Sequence, residues 1–388
     1  MDETKEQKNK IQNKYSRTRN IITAGIFLLL IVIVFAFWLL NWKPKPDTVS
    51  EKIIREAAAY VLNKEPNELN GEDFAKITKL YIPAKLLEFS GVINKANFDE
   101  ITEIKMLEKF TNLQTLYIAH IRFSEKAKPK WIKILAKTGI IDIEERFFID
   151  LSPISKLDNL RTFVIDFAPF KNIGPLSNLS NLESLALCGT YITDIRPLSK
   201  LTNLRNLAVI RCNLSELDPV KELVNLQSLL LESTKITSIE PLRNLTKLQN
   251  LDLNQTQITD FEPIKDLKNL TYLNVANIKI SYLGHIKEMT NLKTLLLYNT
   301  QITDLEQLKR LINLESLNLD QTPISDLEPI KYLTKLTSLC INNTSISDLT
   351  PLHNLTNLQN LYLKETENIT DQQVEDLQKA LPNLIIER

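Results

Sequence analysis

Three histidines and three cysteines are the side chains of this 388-residue chain best suited to metal or nucleophilic chemistry. His120, His285 and His353 stand far apart, with no HExxH pair and no second ligand at metal spacing. Cys188, Cys212 and Cys340 form no CxxC, and three thiols cannot all pair with one another. They read as packing residues, ahead of a disulfide or metal role. No GxSxG turn and no glycine-rich phosphate cradle occurs. These patterns argue against an enzyme and imply no cofactor and no metal. What remains is non-covalent recognition, and one set of residues recurs at the spacing for it: Leu230, Glu232, Asp252, Tyr272, Leu296, Tyr298, Asp320 and Tyr362.

These side chains are held by a repeated phrase. Leu160, Leu182, Leu204, Leu226, Leu248, Leu270, Leu292, Leu314, Leu336 and Leu358 follow one another at steps of 22 residues. A fixed period of that size signals stacked repeats. The first half of each repeat, LxxLxLxxT, alternates apolar residues as a half-buried strand does. The second half, ITDxxPL, carries a proline that disfavours helix before it and cannot donate to a ladder. It predicts turns or short 3₁₀ pieces on the outer side. A lone repeat buries too little to order its own chain, so neighbours must share one core. The strand leucines then point inward, and the residues between them form three outward columns. Successive rows read Asn250, Asp252, Asn254; Tyr272, Asn274, Ala276; and Thr294, Leu296, Tyr298. All three columns are expected to face solvent. Aromatic and apolar residues there suggest a contact surface, although scattered exposed apolar residues are also ordinary.

LTKLQNLDLNQTQITDFEPI at 245–264 resembles the bacterial internalin-type leucine-rich repeat, LTNLxxLxLxxNxITDLxPL. The resemblance covers roughly residues 75–388. It implies an α/β repeat solenoid: an arc with a parallel β-sheet on its concave face and 3₁₀ or turn segments on its convex face. It also implies binding through the concave face. One departure is consistent. The family's Asn slot holds Thr190, Thr234, Thr256, Thr300, Thr322 and Thr344, with Cys212 in the same slot. A threonine hydroxyl can still bond the turn backbone.

The N-terminal end differs in kind. Residues 1–20 are polar and carry six Lys or Arg; residues 21–40, IITAGIFLLLIVIVFAFWLL, carry no charge. Twenty helical residues match the thickness of a bilayer core. Trp38 and Trp42 stand at the far end, where aromatic residues prefer the interface. Residues 21–42 read as an uncleaved transmembrane signal anchor, with a cleaved signal peptide as the alternative. Lys5, Lys8, Lys10, Lys14, Arg17 and Arg19 outnumber the cations after the span. That places the tail in the cytoplasm and the repeats outside a bacterial plasma membrane.

The chain then divides as follows. Residues 43–49 are a stiff linker, and 50–74 a helical N-terminal cap with Ser50 as N-cap. Irregular repeats occupy 75–159, regular repeats 160–366 and a helix-bearing capping repeat 367–388. In the last, Thr370 or Asp371 caps the helix and Leu384–Ile386 forms a final strand. An insertion at 122–147 carries Lys126, Lys128, Lys130, Lys133 and Lys137 around Trp131, with no acid from Lys126 to Lys137. It reads as a short basic amphipathic helix, either packed on the solenoid flank or touching an anionic partner or lipid headgroups.

Lys+Arg and Asp+Glu are equal at 47 each, which gives no global pull toward nucleic acid. The residues together suggest a membrane-anchored module that binds a protein partner. Two other readings stay open. One is an envelope spacer without a discrete ligand; the other is a cytoplasmic regulatory subunit, should the topology be inverted.

Overall fold

A computed structural model describes residues 48–82, 105–119, 150–166, 168 and 170–388. Among these residues thirteen strands form one sheet in chain order. They are β1 (Lys79–Ile82), β2 (Thr115–Ala119), β3 (Thr162–Asp166), β4 (Ser184–Cys188), β5 (Asn206–Ile210), β6 (Ser228–Leu230) and β7 (Asn250–Asp252). There follow β8 (Tyr272–Asn274), β9 (Thr294–Leu296), β10 (Ser316–Asn318), β11 (Ser338–Cys340), β12 (Asn360–Tyr362) and β13 (Ile385–Glu387). Every pairing is parallel, and from β3 to β12 the partners are one repeat apart, as in Leu251 with Leu273 and Leu273 with Leu295. The irregular steps keep the same register, pairing Leu80 with Leu116 and Leu116 with Phe163. The ten anchor leucines are all buried beneath the sheet.

The outer half of each regular repeat is a short 3₁₀ piece; most have proline in the first turn, as in Glu262–Ile264 and Glu328–Ile330, while Gly284–Ile286 and Glu306–Arg310 have none. The aspartate two residues before it starts the turn. Asp260 Oδ1 accepts the Glu262 amide at 2.9 Å, and Asp326 Oδ1 accepts the Glu328 amide at 2.8 Å. The threonine slot closes the strand end. Thr256 and Thr300 each donate to the carbonyl three residues back at 2.7 Å, within the buried interior. Cys212 fills the slot through Sγ contacts of 3.3 Å to the Leu187 and Ile210 carbonyls. In the repeat that starts at Leu270 the slot holds buried Ile278, which has no hydroxyl to offer.

Two further devices tie each turn to the next. The asparagine of LTNL donates across one repeat to a main-chain oxygen: Asn203 to Ser180 at 2.8 Å, Asn269 to Thr246 at 2.8 Å and Asn357 to Thr334 at 2.7 Å. Where lysine replaces it, Lys247 donates to Asn225 Oδ1 at 2.6 Å and Lys335 to Asn313 Oδ1 at 2.7 Å. The second device is a left-handed residue after each strand from β4 to β12. Arg211, Ser233, Gln255, Asn277, Asn299, Gln321, Asn343 and Glu365 have φ from 52° to 56°, and Gly189 holds the same place at 60°. Such a conformation is costly without glycine. It persists because it aims the amide at the next repeat, as Asn299 N–H reaches the Asp320 carbonyl at 2.8 Å.

The ends differ from the repeats. Helix α1 (Thr48–Leu62) starts two residues before Ser50, which therefore lies inside the helix and is not its N-cap. Asn70 caps α2 (Gly71–Lys76), accepting the Glu72 and Asp73 amides. Asp73 is buried, and its carboxylate meets Lys64 at 2.9 Å and Lys76 at 3.3 Å. At the other end Thr370 caps α3 (Asp371–Ala380). The closing strand runs Ile385–Glu387, one residue later than expected, because Leu384 turns into the core. Among the described residues, no helix is long and apolar enough to cross a membrane. The tail at 1–20, the candidate span at 21–42, linker residues 43–47 and the insertion at 122–147 lie outside the described residues.

Two outcomes follow. Thr300→Val leaves the Leu297 carbonyl without its buried donor and should cost about 1–3 kcal/mol in urea unfolding. The Lys64 ammonium and the Asn70 amide hold the Asp73 carboxyl down from 3.8 to about 2. A lowered value stabilises the fold above pH 3.8, and that contribution is lost as pH falls through about 2. Asp73→Asn should thus weaken the protein at neutral pH, and the two proteins should converge in stability near pH 2, read by circular dichroism.

Candidate interaction face

The open face of the sheet carries the predicted columns, but they are not equally accessible. Leu230, Tyr272, Leu296, Tyr298 and Tyr362 are half-buried, not fully exposed as the strand pattern implied. Strands about 4.8 Å apart let each large side chain lean on its neighbours. Asn254, Asn274 and Ala276, expected in solvent, are buried. From β6 to β12 each strand proper has only three residues, so the third column lies where the backbone already turns toward the left-handed residue.

The acids are engaged within the protein. Asp252 Oδ1 accepts the Asn254 amide at 2.9 Å. Its Oδ2 accepts Asn274 Nδ2 at 2.9 Å and the Tyr272 hydroxyl at 3.4 Å. Burial, with the Asp252 carboxylate beside it, pushes the Tyr272 phenol up to about 12, so it stays protonated. Asp320 Oδ1 accepts the Asn342 amide from the next repeat at 2.7 Å. Glu232 faces Arg211 at 3.7 Å. Asp252 is therefore a junction between β7 and β8 more than a free charge.

The structure groups the predicted residues unevenly. Asp252, Tyr272, Leu296, Tyr298 and Asp320 fall on four successive repeats, at β7, β8, β9 and β10. Leu230 and Glu232 adjoin them at β6, while Tyr362 sits on β12, two strands beyond β10. Lys126, Lys128, Lys130, Trp131, Lys133 and Lys137 lie outside the described residues. Val164, Ala186 and Ala208 in the middle column of β3, β4 and β5 drew no attention as a site in the sequence, since each is small and unremarkable alone.

Chemistry elsewhere is muted. Burial raises the Cys188 and Cys340 thiols to about 11, helped by Asp166 and Asp320 respectively, and burial also raises Cys212. A thiol so raised is a poor nucleophile. His285 lies on an outer 3₁₀ piece with Nδ1 3.0 Å from Glu262 Oε2, and His353 ends another such piece. Among the described residues no cluster of His, Cys, Asp and Glu could hold a metal ion. A polar groove of about 360 Å³ runs past the strand starts, lined by Arg161, Glu183, Arg205, Gln227, Lys247 and asparagines of the ladder.

A model of tandem leucine-rich repeats matches residues 224–266, 246–288 and 290–332. The chain carries leucine-rich repeats. The leucine-rich-repeat fold extends well beyond the matched stretch. An internalin (InlF) from Listeria monocytogenes is 28% identical and aligns over 86% of this chain and 87% of its own, with a TM-score of 0.66. A leucine-rich-repeat protein of Leptospira interrogans is 22% identical over 74% of this chain and 75% of its own, with a TM-score of 0.56. The functional domain of the Listeria monocytogenes protein InlJ, described as including a cysteine ladder, is 17% identical over 87% of this chain and 68% of its own, with a TM-score of 0.54. No curated protein matches this chain as a relative. Leucine-rich-repeat proteins are in general interaction modules, and nothing found points to catalysis.

Asp252 gives a direct check on this geometry. Asp252→Ala strands the Asn254 amide and one Asn274 donor and should lower stability by about 1–3 kcal/mol in chemical denaturation. Asn318→Ala, at the same column three strands on, removes only one amide contact, to Asp320 N–H, and should cost about half as much.

Proposed function

We propose that this is a membrane-anchored, internalin-like leucine-rich-repeat protein that binds a protein partner through the open face of its sheet. The observation that carries the reading is the run of Tyr272, Leu296 and Tyr298 on neighbouring strands. They are large, half-open to solvent and outside the leucine core. Rigid amphipathic side chains of this type are enriched at protein interfaces. The Asp252 carboxylate accepts the Tyr272 hydroxyl at 3.4 Å and so helps hold the first of these side chains in place, which lowers the ordering cost of docking. Support for the anchor comes from residues 21–42 and the cations before them; they favour a cytoplasmic N-terminus and repeats outside the plasma membrane. The basic insertion at 126–137 is a secondary candidate contact, on sequence grounds alone.

The test is site-specific photocrosslinking in intact cells, from Tyr298 and from Lys309. Lys309 lies on the outer piece Glu306–Arg310, paired with Glu306 at 2.7 Å. A discrete product from position 298, absent at 309, is expected and would identify the partner. Products at neither position, with none from position 272, would favour a spacer role.

A further inference from the structure

The middle column of the open face changes character along the sheet. On β3 to β6 it reads Val164, Ala186, Ala208 and Leu230, paired in direct register. From β7 it becomes mixed: Asp252, Asn274, Leu296, Asn318, Cys340 and Tyr362. Beside the apolar line, Cys188 and Ile210 face each other on β4 and β5. All six are only partly buried and point away from the core, which is built from Phe163, Leu185, Leu207 and Leu229. The first column on the same strands is Thr162, Ser184, Asn206 and Ser228, as a solvated sheet requires. Folding therefore accounts for the polar column and leaves the apolar one unexplained.

The line has a shape. Two alanines lie between a valine and a leucine, which makes a shallow saddle. Its rims carry opposite charge. Along the strand starts, Arg161 pairs with Glu183 at 2.6 Å, which leaves the charges of Arg205 and Lys247 on that rim. Along the strand ends lie Asp166 and Glu232, with Arg211 drawn to Glu232.

Spacing selects the occupant. Steps between strands are about 4.8 Å. A helix lying across them presents a side chain every turn, about 5.4 Å, and drifts only about 2 Å over three steps. An extended segment presents one face every two residues, about 6.6 Å, and drifts about 5 Å over the same distance. We propose that the trough over β3–β6 receives an amphipathic helix of a partner protein, its apolar ridge along Val164–Leu230, acids on the flank facing Arg205 and bases on the flank facing Asp166. This rests on the reading of the open face as the binding surface, and specifies its N-terminal half.

The probe is a pair of phage-displayed libraries of about 15-residue peptides, selected on the full chain in nanodiscs. One has apolar residues at helical spacing; the other has the same composition with prolines that forbid helix. Enriched sequences are synthesised and measured by fluorescence anisotropy. The expected result is enrichment from the helical library only. Ala208→Lys should weaken binding about tenfold or more, and Tyr298→Ala is measured beside it. Ala186→Lys serves as a second variant, and circular dichroism confirms that each variant folds. Binders that lose affinity with Tyr298→Ala and ignore both lysine variants would overturn the helix trough and leave the open-face reading intact. Enrichment from the proline library alone would also overturn it. Binders insensitive to all three substitutions, or none at all, would remove both readings.

Discussion

Each turn of this chain leaves main-chain groups open along one side, and only the next turn, offset by one repeat, can meet them. The parallel ladder from β1 to β13 is the largest part of that match. The asparagine bonds at one margin and the left-handed amides at the other extend it past the short strands. A repeat of this kind has no stable existence alone, because its apolar residues need a floor and a ceiling from its neighbours. The period is therefore held rigidly wherever neighbours must register, and slots that do not touch neighbours are free to vary.

That division between fixed and free slots explains where function can reside. The inward leucines, the threonine slot and the asparagine ladder all serve stacking, and departures there stay apolar or restore a bond, as with Val209, Val275, Cys212, Ile278, Lys247 and Lys335. Each of the two lysines restores a bond by reaching the neighbouring asparagine. The middle column of the open face is freer, although Asp252 reaches across a repeat to Asn274. It drifts from valine and alanine to aspartate, asparagine, leucine and tyrosine along the sheet. A face with two unlike halves on one rigid frame is suited to contact a partner at more than one place.

Electrostatics refine the picture. An acid seen in the sequence looks available to a partner, yet Asp252 and Asp320 accept hydrogen bonds from their own or the neighbouring repeat. Tyr272 shares its hydroxyl with Asp252, and burial, with that carboxylate beside it, lifts its pKa to about 12. The open face around them is thus less charged than its composition suggests.

The fold was legible from the ten anchor leucines and the alternation after each, because burying one face of a strand forces a strict period. The threonine slot was legible for a similar reason: a side chain that bonds its own backbone acts within a few residues. Bonds between repeats were not. Nothing local in LTNL shows that its asparagine donates to an oxygen 23 residues earlier. Burial of Asn254, Asn274 and Ala276 likewise depended on how tightly the backbone turns after each strand and on what leans over it from the next. The sequence by itself determined the period, the core and which residues could face outward. Only the tertiary structure decided which of those stay accessible and which are drawn into the stack, since that depends on neighbours brought together by the sheet.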